Sequence, residues 1–337
     1  MKAAIVILVL SIVSVSTMAQ KENSVGEINR RYIDSVKNST WPYMFPAWGK
    51  KITKKGIDLQ YPVGAMVNFL FGSQKVEISD LKVGINGGEM VPLDFVKFGE
   101  VKADVQTLNT RIDLWALPFV DIYGIFGKTW AQTNVNLVSP VNFSTTAKFD
   151  GGLFGFGTTL AGGFNGIFTA IDYNNTWSHL DGIDGSIHTQ LVSGRLGYVF
   201  RFAGHPQMNL TPWLGAQGIF INRVTVGSIN LGELGVTADG SVFQPVIDGT
   251  APFLQNLSPA QQIVAKKVAK EMQSKVQNID FDNITIDYSL KKQATSDWSM
   301  TAGGQFQLDK RWQFRAEAGF LGGRKTLLTS VNYRFGF

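Results

Sequence analysis

The chain has 337 residues, 44% hydrophobic and 17% charged, with 36 glycines, no cysteine and a formal net charge of +5. Low charge beside 12% aromatics excludes a disordered chain. The small, scattered positive charge excludes electrostatic nucleic-acid binding, and the missing thiols exclude disulfides, thiolate nucleophiles, Cys-held zinc, iron–sulfur clusters and S-acyl anchors.

Residues 1–19 read as a signal peptide. Lys2 supplies the positive start, Ala3 to Val15 the apolar run, and Thr17-Met18-Ala19 the small residues needed for cleavage before Gln20. No later apolar run reaches the ~18 residues of a membrane-spanning helix. An exported chain of this kind is either soluble or crosses a membrane as a closed β-barrel. Residues 20–56 are expected to form an N-terminal periplasmic segment. Within it Val25 to Val36 reads as a short helix, and Trp41-Pro42-Tyr43-Met44-Phe45-Pro46-Ala47-Trp48 is aromatic and broken by proline. Such a stretch suits either a tail tucked against the barrel mouth or a peptide that recruits a partner.

Residues 57–337 carry the expected transmembrane β-barrel. Strands are predicted near 59–83, 104–116, 120–133, 149–161, 164–177, 188–203, 209–223, 296–308, 311–321 and 325–337. That makes ten, an even number as a single-chain bacterial barrel requires; if 59–83 were two strands broken at Gly72-Ser73, parity would demand one more elsewhere, making twelve. Short turns fall at 117–119, 162–163, 203–207 and 309–310, and external connections at 84–103, 134–148, 178–187, 224–295 and 322–324. The 224–295 loop is far longer than ordinary connections, which points to a functional or partly folded insertion. Inside it a helix is predicted over 258–276: Ser258 caps, Pro259 suits the first helical position, and Gln261 completes a capping box. Ile263, Val264, Val268, Met272 and Val276 form its apolar stripe, with Lys266, Lys267, Lys270 and Lys275 largely elsewhere. A plug, a lid or an arm on the anionic membrane surface competes with a solvated helix packed on its own loop.

Alternation decides between a soluble sandwich and a barrel. In the 311–321 segment Trp312, Phe314, Ala316, Ala318 and Phe320 share one face, and Arg311, Gln313, Arg315, Glu317 and Gly319 the other. The segments at 192–202, 298–308, 108–116 and 325–337 repeat this period of two. Rings on one face and charges on the other suit a lipid exterior and a polar lumen. Arg111, Asp113, Asp172, Arg195, Arg201, Arg315, Glu317 and Arg334 all fall on the predicted lumen face. They are expected either to neutralise one another in a closing ladder or to line a wet path whose arginine excess favours anions. Ten strands lie nearer the filled interior of small barrels than the open channel of large ones.

The chain ends Val331-Asn332-Tyr333-Arg334-Phe335-Gly336-Phe337. An alternating last strand with a terminal phenylalanine resembles the C-terminal insertion signal of bacterial outer-membrane β-barrel proteins. The resemblance implies that the barrel-assembly machinery reads Val331, Tyr333, Phe335 and Phe337. It covers the mature chain in architecture and is porin-like, without naming an activity. Segments 113–120 and 317–324 resemble parts of uncharacterised outer-membrane proteins.

Chemistry is sparse. His179, with Asp181 and Asp184 in a predicted external turn, supplies the elements of a rim hydrolase, but its spacing matches an ordinary loop. Asp280-Phe281-Asp282-Asn283 lacks the glycine and terminal glutamate of a calcium loop. No cofactor, metal or catalytic residue is expected. The chain reads as a non-enzymatic outer-membrane barrel of the Gram-negative envelope: a narrow passive channel or small-solute uptake barrel, gated by the long loop or the N-terminal segment. The alternative is a structural or surface-binding barrel with a closed lumen. Its expected partners are outer-membrane lipids, the assembly machinery and a small anionic or polar solute, with no nucleic acid.

Overall fold

A computed structural model describes residues 22–94, 96–139, 143–202, 204–222, 224–230, 243–278 and 285–336. The signal segment, Phe337 and the Asp280–Asn283 run lie outside the described residues. Two helices come first, α1 (Glu22–Asn38) and α2 (Gly49–Thr53). Strands β1 (Val63–Ile85), β2 (Val91–Pro92), β3 (Lys97–Phe98), β4 (Val101–Leu117), β5 (Val120–Ser139), β6 (Phe143–Phe164), β7 (Ile167–Leu180) and β8 (Ile187–Tyr198) follow. Then come β9 (Phe200–Phe202), β10 (His205–Ile221), β11 (Val224–Asn230), α3 (Gln244–Asp248), a 3₁₀ turn (Pro252–Asn256) and α4 (Pro259–Asn278). The chain finishes with β12 (Thr285–Ala294), β13 (Trp298–Gln307), β14 (Trp312–Phe320) and β15 (Arg324–Phe335).

Ten of these strands form a closed antiparallel ring, in the order β1, β4, β5, β6, β7, β8, β10, β13, β14, β15 and back to β1. Closure runs through β1, whose Val63 lies opposite both Phe335 and Leu114. This is the architecture of bacterial outer-membrane β-barrels, and the ten-strand reading of the sequence holds. The first strand is a single long one, so the twelve-strand variant is set aside. Both ends of the ring lie at the rim that carries the short turns, here the terminal end; the longer connections emerge at the loop end. Among the described residues no helix is long and apolar enough to cross a membrane.

The outer surface carries the rings and branched chains: Phe69, Ile112, Phe126, Phe156, Leu196, Leu214, Leu327 and Val331 are all exposed. In a soluble protein this belt would be untenable; against acyl chains it is the expected boundary. Near the terminal end Trp312, Tyr333 and Phe335 pack in series, with ring centroids 4.8 and 6.3 Å apart, and Tyr198 meets Phe200 at 4.9 Å. Such girdles place amphipathic rings at the membrane–water boundary.

One predicted turn moves. Gly162 and Gly163 lie inside β6, and the reversal is Asn165-Gly166, both at positive φ (50° and 83°). Asn-Gly is the dipeptide that a two-residue type I′ hairpin demands, because both positions need φ > 0.

The long loop is shorter than the sequence suggests, because β11 and β12 extend the β10–β13 hairpin beyond the rim. The β14–β15 hairpin turns early, at Leu321, Gly322 and Gly323, all with positive φ. Beyond it β12 leans across and pairs with the upper half of β1, from Val76↔Ala294 to Ile85↔Ile286. The capping box forms: Ser258 N–H donates to Gln261 Oε1 at 3.0 Å, and Gln261 N–H to Ser258 Oγ at 3.4 Å. The buried face of α4 differs from the predicted stripe. Ala265 and Ala269 are buried while Ile263 is 69% exposed. Small residues win that face because α4 lies close against the 3₁₀ turn, where Ala251, Leu254 and Ala265 make a cluster flanked by Leu93 and Val96. Residues 243–278 of the long connection thus form a small folded unit resting on the neighbouring loop.

Candidate functional site in the barrel lumen

Inward positions of the terminal half of the ring carry a buried ion ladder. Arg334 on β15 donates to Asp113 on β4 at 2.8 Å, with side chains 3% and 1% exposed. Its guanidinium also reaches the carbonyl oxygens of Tyr61 at 2.8 Å and Pro62 at 3.3 Å. Arg111 pairs with Asp121 and lies 3.4 Å over the Tyr123 ring. Arg195 pairs with Asp172, whose carboxylate also accepts from Thr159 at 2.7 Å and Ser193 at 3.0 Å. Glu317 accepts from Trp213 Nε1 at 2.7 Å. Arg315 donates to Gln305 at 3.3 Å and sits 5.7 Å from the centre of the Trp213 ring. Four guanidinium groups (Arg111, Arg195, Arg315, Arg334) thus face four acids (Asp113, Asp121, Asp172, Glu317).

Strand register explains how such distant strands touch. Asp113, Gly64 and Arg334 occupy one lateral row, with the glycine on the middle strand. Tyr123, Gly157 and Asn174 repeat the arrangement, and Tyr123 donates to Asn174 at 2.6 Å over the glycine. Trp213, Gly303 and Glu317 form a third such row. Next-but-one strands lie ~9.5 Å apart, so long side chains meet only where the intervening strand offers no Cβ. At position 64 a Cβ would fall 2.6 Å from Asp113 Oδ1 and 2.8 Å from an Arg334 nitrogen.

Farther toward the loop end the inward positions mix leucines (Leu70, Leu153 and Leu328) with buried polar side chains such as Thr107, Thr129, Gln217 and Thr301. Toward the terminal end the ladder borders a chamber of about 980 Å³, lined by Arg111, Arg195, Arg315 and Arg334 on one side and by Asn29, Tyr32 and Ile33 of α1 on the other. The segment before β1 covers this mouth. Tyr32 donates to Asp58 at 2.5 Å, and Lys310 in the β13–β14 turn holds the same carboxylate at 2.6 Å. Burial first, and the Asp58 carboxylate second, push the Tyr32 phenol above the ordinary tyrosine range. Trp41 is buried, donating to the Phe45 carbonyl at 2.9 Å, and Tyr43 packs on Tyr61 at 5.8 Å.

Among the sequence candidates, Arg201 stands apart. It lies exposed on β9 at the terminal rim and lines the chamber mouth, away from the ladder. Asp121, Tyr123 and Trp213 were missing from the sequence set. The inward parity of β5 and β10 marks all three, and in β10 a tryptophan among polar neighbours masks it. His179 stacks on Phe154 at 5.8 Å, on the outer face. Among the described residues no hydrogen bond or ion pair joins it to Asp181 or Asp184. Val331 is exposed on the outer face of β15, and Tyr333 and Phe335 stack beside it.

No family model matches this chain, and no curated protein does. Similar solved structures include the β-domain of the Bordetella autotransporter BrkA, 10% identical, covering 81% of this chain and 100% of that one with a TM-score of 0.38. The transport unit of the autotransporter AIDA-I from Escherichia coli is 12% identical, covers 92% and 99%, and has a TM-score of 0.34. The Ralstonia pickettii toluene transporter TbuX is 7% identical, covers 82% and 90%, and has a TM-score of 0.31. The fold assignment rests on the strand pairing and not on these distant likenesses.

Proposed function

We propose that this chain is an outer-membrane β-barrel that admits a small polar or anionic solute through a gate, with no standing pore and no catalysis. The observation that carries the reading is the chamber of about 980 Å³ held between the buried ladder and α1. A barrel of about eight strands has an interior just filled by side chains; this one, with ten, keeps a solute-sized space. The ladder closes one side of it and the N-terminal segment the other. In this reading residues 1–19 are removed near Ala19, residues 20–56 stay in the periplasm as the gate, and residues 57–337 span the bilayer. The belt meets outer-membrane lipids, and the assembly machinery reads Val331, Tyr333, Phe335 and Phe337.

Conductance in planar bilayers tests it. The intact protein is expected to show no steady current at low voltage, while deletion of residues 20–38 or the substitution Arg334→Ala opens a measurable one. Silence in all three refutes gated uptake. It would leave a closed barrel acting through its surface, the reading favoured by the four-to-four charge balance of the ladder and by the folded unit around α4.

A further inference from the structure

Three of the four ladder arginines have a carboxylate: Arg334 has Asp113, Arg111 has Asp121 and Arg195 has Asp172. The fourth does not. Glu317 sits two residues from Arg315 on the same inward face of β14, yet its carboxylate is turned to the Trp213 indole N–H at 2.7 Å. Among the described residues no carboxylate oxygen lies within 4.0 Å of the Arg315 guanidinium, whose hydrogen-bond partner is the neutral amide of Gln305. The Trp213 ring lies 5.7 Å from this guanidinium and 5.3 Å from that of Arg195. Arg315 lines the chamber, as do the amides of Gln305, Gln307, Gln313 and Asn332.

An unpaired guanidinium inside a barrel is costly unless an anion or water meets it. A second charge asymmetry points the same way. The chamber wall carries Arg111, Arg195, Arg201, Arg315 and Arg334 against Asp58, Asp113 and Asp121; Asp172 neutralises Arg195 from behind the wall, and Asp58 is itself held by Lys310. The excess is therefore positive, with Arg201 at the mouth and Arg315 at the inner end. A planar guanidinium fork matches a carboxylate in two parallel hydrogen bonds, and the amides of the chamber wall suit hydroxyl or amide groups on the same molecule.

We propose that the chamber is a binding site for a small hydroxylated carboxylate, with Arg315 as its anion-binding residue and Trp213 as the wall that keeps Glu317 from neutralising it. The proposal rests on the gated-uptake reading and names its class of solute. Binding is measured without any current, so the two fail separately: a barrel that binds but never conducts loses only the gate. The probe is gluconate, titrated calorimetrically into the full mature chain in detergent, with glucose and inorganic phosphate as controls. Saturable gluconate binding is expected, weakened about tenfold or more in Arg315→Gln, with no binding of glucose. Arg315→Lys keeps the charge and loses the fork, so it too should weaken binding, and it supplies the test should Arg315→Gln fail to fold. The proposal is overturned by absence of gluconate binding, by affinity unchanged in the Arg315 variants, or by phosphate binding as tightly as gluconate.

Discussion

Replacing Asp113 by Asn keeps the shape of the side chain and removes its charge, leaving Arg334 buried without a counter-ion. Breaking a fully buried pair by removing one partner costs about 3–5 kcal/mol. Here the loss is smaller, because Arg334 keeps the Tyr61 and Pro62 carbonyl oxygens at 2.8 and 3.3 Å and the new amide still offers one acceptor. What disappears is the charge assistance of a hydrogen bond between groups 3% and 1% exposed, on the order of 2 kcal/mol. Arg111 is little affected, since its bond goes to Asp121 and Asp113 stands 3.9 Å away. Urea titration of the refolded barrel in micelles, followed by the mobility shift between folded and heated protein, reads the change directly. A companion Arg334→Gln, alone and combined with Asp113→Asn, gives the coupling, and the double variant should cost at least ~1 kcal/mol less than the sum of the singles. A loss under ~0.5 kcal/mol for Asp113→Asn, or full additivity, would show that the pair does not hold β15 to β4 across β1.

Gly64→Ala forces a Cβ between the same two side chains and should destabilise by at least ~1–3 kcal/mol. Gly152→Ala, with nothing within 4 Å of its Cβ, should stay within ~0.5 kcal/mol in the same titration. The Tyr32 phenol is held protonated when α1 is docked, so docking is stable below the ordinary tyrosine ionisation near pH 10 and weakens as pH rises past it. A fluorophore on Ser35→Cys should gain mobility on that alkaline side, and Tyr32→Phe should flatten the profile; a profile unchanged by Tyr32→Phe rules the phenol out. Replacing both Phe335 and Phe337 by Ser should lower the yield of heat-modifiable barrel in the outer membrane, and an unchanged yield would remove the proposed reading of the last strand.

The strand count and the division into faces are legible because the period of two is a local property: each residue's side follows from its neighbour's. Trp312, Phe314 and Phe320 need no partner to declare themselves. Local chemistry also reveals α4, since Ser258, Pro259 and Gln261 form its start without help from the rest of the chain. The buried side of that helix was not legible. Ala265 and Ala269 are weakly hydrophobic, and they are chosen by the closeness of the Ala251–Leu254 turn, which only the tertiary packing creates. The Asn165-Gly166 reversal was readable by its dipeptide, but the nearby Gly162-Gly163 competed for it; in a barrel wall glycines also serve as gaps, so their presence does not single out a turn.

By itself the sequence determined a chain with a greasy exterior, a charged interior and an even number of strands, because alternation and composition are written residue by residue. Tertiary structure alone decided which interior charges meet. Asp113 and Arg334 are 221 residues apart and become neighbours only when ring closure sets β4 and β15 on either side of β1 with Gly64 between them. Among the described residues the same closure leaves Arg315 without a carboxylate, since its candidate Glu317 is drawn across Gly303 to Trp213. Parity can place a charge in the lumen; its partner depends on the register of strands that the chain visits much later.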